Sequence, residues 1–255
     1  MTDTAAHPEL RIIGIDCATD AKKVGLALCL VSEGRPRIDQ LLVGQSWPAI
    51  DDQIARWATG PTLLALDAPL GWPAPLAESL HTHEAGAELA PTANALFRRT
   101  TDDMIAEHLG KRPLDVGSDR IARTAHGALS FLARLREGAD APIPLAWEPG
   151  SIEGLAAIEV YPAGTLAARN LPHSGYKGPT DRSSALRQQL AEAVREELSI
   201  DEDATRLMLQ SDHALDAAWC VCAGLDFLAG DVVRPKDLSL AKREGWIWVR
   251  QTRTN

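Results

Sequence analysis

The chain has 255 residues, 45% hydrophobic and 24% charged, a globular balance long enough for one large α/β domain or two small ones. A formal net charge of −9 argues against broad electrostatic coating of nucleic acid, while leaving room for a local basic groove around an acidic, metal-charged centre. Four scattered cysteines (Cys17, Cys29, Cys220 and Cys222) provide neither a disulfide framework nor a zinc-site spacing.

The first residues, Met1 to Glu9, are polar and contain Pro8, so no signal peptide is expected. No apolar stretch is long enough to span a bilayer, and a cytoplasmic protein is the default expectation. Two apolar runs, 11–16 and 24–31, read as strands joined by the polar turn Ala18–Lys23, and a third short strand is expected near Ile38–Val43. Their closeness in sequence predicts an antiparallel meander. Residues 48–58 carry Ile50, Ile54 and Trp57 at helical spacing. The continuous apolar run 62–67 is a buried strand, stopped by Asp67-Ala68-Pro69. Helices are expected over roughly 74–90, 101–109 and 118–136, the last with Ile121, Ala125, Leu129 and Leu132 on one face. Ala156–Tyr161 reads as a strand, and Pro162 suits the first turn of a following helix. Leu186, Leu190, Val194 and Leu198 mark a helix over 181–198. A helix over 212–229 presents Leu215, Ala218, Trp219 and Cys222 to the core. Gly245–Val249 is strand-like, and the alternation of Trp246 and Trp248 predicts that only one of the two faces the core.

With no linker-like segment and no internal repeat, a single domain over 1–255 is expected, with a helical insertion around 74–150. The order strand, strand, strand, helix, strand, helices, strand, helices predicts an α/β fold. It would be a ribonuclease-H-like mixed five-stranded sheet flanked by helices, with helical insertions. In such a sheet Asp16 and Asp67 end neighbouring central strands, and a late helix packed across it brings Asp216 to them.

Several short segments carry a resemblance. They are Gly14-Ile15-Asp16, Leu66–Leu70, Arg98–Asp102, Glu159–Pro162, Asp212–Ala217 and Glu244–Ile247. In this order they resemble the domain-of-unknown-function family 429, whose members are expected to be ribonuclease-H-fold nucleases. The resemblance implies the fold, and nuclease activity as an expectation.

Carboxylates at the ends of buried strands are costly unless a cation or hydrogen bonds compensate them. Phosphodiester hydrolysis needs an activated water and a stabilised leaving oxygen, which paired divalent ions can supply. Mg²⁺ or Mn²⁺ is the expected cofactor and nucleic acid, DNA or RNA, the expected partner. Asp16 is expected to bridge the ions, Asp67 to hold one of them, and Asp216 to be the third ligand. Asp212, one helical turn before Asp216, is either a further ligand or a helix cap. Asp16 and Asp67 also suit turn formation. Glu159 is either a ligand or a structural hydrogen-bonding group. Arg98 and Arg99, followed by Asp102, are expected at the substrate, where guanidinium groups bind phosphate bidentately. Alternatively, Arg99 pairs with a nearby acid and holds the insertion in place. Lys177 lies in the glycine-bearing loop Ser174–Pro179, which lacks Walker spacing, so it is either a substrate contact or part of a mobile loop. His213 either transfers a proton or faces solvent, and Trp72 either stacks on a base or packs. Two other functions compete with the nuclease reading. One is a non-catalytic binding or regulatory module on the same fold. The other is a phosphotransferase or ATPase of the actin and sugar-kinase type, which would need two copies of the unit.

Overall fold

The computed structural model describes residues 9–32, 35–139, 142–150 and 152–252, so the polar stretch before Glu9, on which the expected lack of a leader rests, lies outside the described residues. Strands β1 (Leu10–Asp16), β2 (Gly25–Val31) and β3 (Arg37–Val43) form the antiparallel meander. β4 (Thr62–Asp67) pairs with β1 in parallel, and β5 (Leu155–Glu159) pairs with β4 in parallel. The strand order is β3-β2-β1-β4-β5. This mixed five-stranded sheet, with helices around it, is compatible with the ribonuclease-H-like layout.

The two-residue alternation of each strand divides the core. Ile12, Ala27, Leu63, Ala65, Ile158 and Val160 face a helix, α9 (Asp212–Ala229). Ile13, Ile15, Leu64 and Leu66 face the other side. There they meet Ile50, Ile54 and Trp57 of α1 (Trp47–Trp57), whose N-cap is Ser46, and Phe131 and Leu132 of α5 (Asp119–Gly138). Helix α9 lies unusually close to the sheet. A Cβ on Gly14 would stand 2.2 Å from Ala217 O, and one on Gly25 would stand 2.1 Å from His213 O. Only glycine allows that approach.

Between β4 and β5 the chain forms α2 (Ala74–Leu80), α3 (Ala93–Phe97), α4 (Thr100–Leu109) and α5. The expected single helix over 74–90 is therefore cut short at Leu80. Gly86 takes φ 87°, a left-handed conformation that no helix continues through. β5 ends at Glu159 instead of Tyr161, because Pro162 opens the short helix α6 (Pro162–Ala167). Helix α7 (Asp181–Glu197) follows, capped by Thr180.

Three α-helices went unpredicted from the sequence, the short α3, α8 (Glu202–Gln210), capped by Asp201, and α10 (Leu238–Glu244), capped by Asp237. The segment after α10 is not a full strand. It touches the sheet through one parallel bridge, Glu159 to Ile247, with Trp248 N donating to Glu159 O at 3.0 Å. Both Trp246 and Trp248 are buried, against the expectation of one. Ile247 and Val249, on the alternate side, pack on Ile105, so neither face of the segment is open. Trp246 Nε1 donates to Val233 O, and Trp248 stacks edge-on against Phe227. Among the described residues no helix is long and apolar enough to cross a membrane, and the four cysteines are free.

Candidate metal centre

Asp16 and Asp67 are the last residues of β1 and β4, and the parallel register pairs them directly with one another. They continue the Ile12-Gly14 and Leu63-Ala65 alternation, so both side chains turn toward α9. Asp216 lies in the second turn of α9, whose N-cap is Ser211, accepting from Ala214 N. The close approach at Gly14 and Gly25 lowers that turn onto the strand ends. The result is a triad in which Asp16, Asp67 and Asp216 each offer an oxygen within 4.8 Å of the others.

The triad is poorly solvated. Asp16 is 5% exposed and Asp216 is fully buried. Burial lifts the Asp16 carboxyl to about 6, with the neighbouring Asp216 adding to it and His213 opposing it. Burial, then the charges of Asp16 and Asp216, push Asp67 well above the usual carboxylate range. Asp216 is raised by burial as well, despite its cationic and hydroxyl partners. Three like charges held this closely in a dry site call for a counter-cation.

Two groups from the loop after α6 reach the triad. Tyr176 Oη donates to Asp216 Oδ1 at 2.8 Å. Lys177 Nζ stands 2.6 Å from Asp216 Oδ2, at an angle that leaves that buried oxygen without an aligned hydrogen bond. Burial pulls the lysine pKa down, but Asp216, Asp16 and Asp67 overcome this and hold it up, so the ammonium stays charged. The loop turns at Gly175 (φ 80°) and Gly178 (φ 98°). It is pinned from below, since the buried Arg187 donates to Tyr176 O at 2.7 Å and Gly178 O at 2.8 Å. On the other flank His213 Nδ1 lies 2.6 Å from Asp16 Oδ2, a contact that raises the imidazole pKa.

The donor set fits a hard divalent cation. It is all carboxylate oxygen, and the buried Asp216 Oδ2 has the Lys177 ammonium as its near partner. Soft metals find no thiolate here, because burial pushes the Cys17 and Cys220 thiols well up. The metal identity is not encoded in this geometry.

Of the other residues singled out in the sequence, Lys177 and His213 contact the triad. Asp212 occupies the first turn of α9, where its charge complements the helix dipole, and the cap itself is Ser211. Glu159 sits one register step before the residue opposite Asp67, pairing with Leu66, and so points to the opposite face. Its oxygens accept from Arg99 Nη1 and from Leu70 N at 2.9 Å. Arg99 is 2% exposed and fully engaged, with Asp102 at 2.8 Å, Glu159 at 2.8 Å and Glu244 O at 3.3 Å. Asp102 also accepts from Arg99 N at 3.0 Å and so closes the first turn of α4. The structural alternative weighed for Arg99 is the one realised: its guanidinium holds the insertion against the sheet and the α10 end. Glu244 completes that lock by accepting from Ala74 N and Thr100 N. Arg98 pairs with Asp115 at 3.3 Å near the surface. Trp72 is half-buried and lines neither cavity at the triad.

Sequence reasoning undervalued His213 and passed over Tyr176. The signal for His213 was present, since it precedes Asp216 by three residues and therefore shares its helix face. Tyr176 had no local signal, because only the folded loop aims its hydroxyl at Asp216.

Two cavities meet at Asp67, Tyr161 and Lys177. The larger, about 640 Å³, runs from Asp16 and Asp67 past the turn after β1 to the first turns of α5. The smaller, about 370 Å³, lies under the Tyr176 loop.

A family model described as "Protein of unknown function (DUF429)" matches residues 14–239, most of the chain. Neither a curated protein nor a solved structure matches it.

Proposed function

We propose that this chain, which belongs to the DUF429 family of proteins of unknown function, is a divalent-metal-dependent hydrolase of nucleic-acid phosphodiester bonds. The observation that carries this reading is the convergence of Asp16, Asp67 and Asp216 at the ends of two parallel central strands. A bound Mg²⁺ or Mn²⁺ supplies a polarised water and charge stabilisation at the leaving oxygen. Asp16, Asp67 and Asp216 hold it. His213, sharing a proton between Nδ1 and Asp16 Oδ2, fixes that carboxylate's orientation. Tyr176, donating to Asp216 Oδ1, orients that carboxylate, which would leave Oδ2 to help hold a cation. Lys177, with 56% of its side chain exposed, neutralises Asp216 and would be free to meet a phosphate oxygen of the substrate where a cation took over that role.

The test is cleavage of a panel of single-stranded and double-stranded DNA, RNA and hybrid substrates with Mg²⁺ or Mn²⁺. Wild type is expected to cut at least one. Asp16→Asn keeps the side-chain shape without the charge and is expected to cut none. Activity surviving in Asp16→Asn would remove the central ligand from this scheme. A folded, metal-loaded wild type inert on every substrate would transfer the reading to a non-catalytic binding module.

A further inference from the structure

The larger cavity has a cationic rim that the acidic centre does not use. Lys23, at the end of the turn between β1 and β2, and Arg120 and Arg123, in the first turns of α5, line it together with Asp16 and Asp67. Arg123 is paired with Asp119 at 2.8 Å on the open surface, whereas Lys23 and Arg120 are in no ion pair among the described residues. In a chain of net charge −9, three cations lining one cavity with a carboxylate centre are a local reversal of sign. Part of the lining is apolar. It includes Ile121 and Leu114, whose 70% exposure is the largest among the exposed large hydrophobics.

We infer that Lys23, Arg120 and Arg123 form a phosphate subsite, and that the cavity takes the end of a single nucleic-acid strand in preference to a duplex. This inference rests on the hydrolase reading above. The three kinds of lining, acidic, cationic and apolar, match the three parts of a strand end. The reacting phosphate meets the carboxylate pole, the next phosphate meets the rim, and the intervening sugar and base lie on Leu114 and Ile121. Size gives the selectivity. A cavity of about 640 Å³ is within the range that holds one drug-sized ligand, roughly a nucleotide or two, and a duplex does not enter it. The rim binds by charge, so its contribution falls with salt, by a slope of about 0.7 per phosphate contact for a single strand.

The experiment is fluorescence anisotropy with labelled single-stranded DNA and RNA hexamers and blunt duplexes of the same sequence. It is run in Ca²⁺, whose looser coordination disfavours a compact hydrolytic geometry. A nucleoside diphosphate serves as competitor. Single strands are expected to bind about tenfold or more tighter than duplexes. The double variant Lys23→Ala/Arg120→Ala is expected to lose about tenfold in affinity, with a salt slope shallower by about 0.7, the share of the one phosphate it holds. All three rim residues are exposed, so the variants are expected to melt like wild type. Unchanged affinity and slope in the double variant would overturn the subsite. Duplexes binding as tightly as single strands would overturn the strand-end preference. A nucleoside diphosphate competing at the affinity of the hexamer itself would replace the strand with a free nucleotide. Failure of the hydrolase reading is separable from these. A protein that binds strands through the rim but never cuts keeps the subsite, and one that cuts with an unaltered double variant loses only the subsite.

Discussion

At the scale of the residue, the triad ties stability to protons. The folded-state pKa of Asp16 is raised to about 6, so its protonated form is favoured by folding. For a raised carboxylate the contribution is fully present below the unfolded value and is lost as pH rises through about 6. The metal-free protein is therefore expected to gain stability as pH falls from about 7 toward 5, by about 1 kcal/mol from this group over that range. Below that, carboxylates held low by arginine, such as Glu197, reverse the trend. Urea midpoints across this range check it, and Asp16→Asn should flatten the rise. A midpoint climbing steadily from pH 5 to 7 in metal-free wild type would contradict the crowded-carboxylate picture. Arg99 behaves differently. Its removal strands Asp102 and Glu159 without a cation in a buried site, so Arg99→Met is expected to cost about 3–5 kcal/mol of stability. Equilibrium unfolding measures this, and a near-neutral result would mean the guanidinium is not the clamp described.

At the scale of the element, the site depends on how closely α9 lies on β1 and β2. Gly25→Ala inserts a methyl against His213 O, on the turn that carries His213 and Asp216. The expected cost in stability is about 1–3 kcal/mol. The loss of metal binding is expected to be larger in proportion, because the same displacement moves Asp216 away from Asp16. Titration of Mn²⁺ by calorimetry, compared with the melt, separates the two, and a variant that binds metal like wild type would show that the close approach is only packing. The elements themselves were mostly legible in the sequence. Apolar runs ending in Asp16 and Asp67 placed both strands and both strand-end carboxylates, because burial pattern and chain polarity fix where a strand stops. The helix over 74–90 was not, since helical spacing carried across Gly86 without showing the positive φ there. The role of Glu159 was not either. Its face depends on register with β4, and a strand read alone does not reveal which neighbour each residue meets. The same holds for Arg99, whose partners lie 60 and 145 residues away.

At the scale of the whole molecule, anything that binds the folded triad and not the unfolded chain stabilises the fold by mass action, by about 2.7 kcal/mol at a hundredfold excess over Kd, and so raises the melting temperature. Mg²⁺ or Mn²⁺ is expected to raise it by several degrees, and NaCl of equal ionic strength is not. An equal shift with NaCl, or in Asp16→Asn, would point to general screening instead of a site. The whole-molecule layout also sets when such a site comes into being. Asp16 and Asp67 belong to the sheet begun by the first strands, but Asp216 comes from a helix roughly two hundred residues after Asp16 and closes the arrangement. A chain still being made from its N-terminus has two of the three anionic groups early and lacks the third until α9 emerges. A partly made or truncated chain that stops before α9 is thus unable to bring the three carboxylates together, whatever sheet it has formed. Chain order works here as a safety catch, arming the site only once α9 has been made.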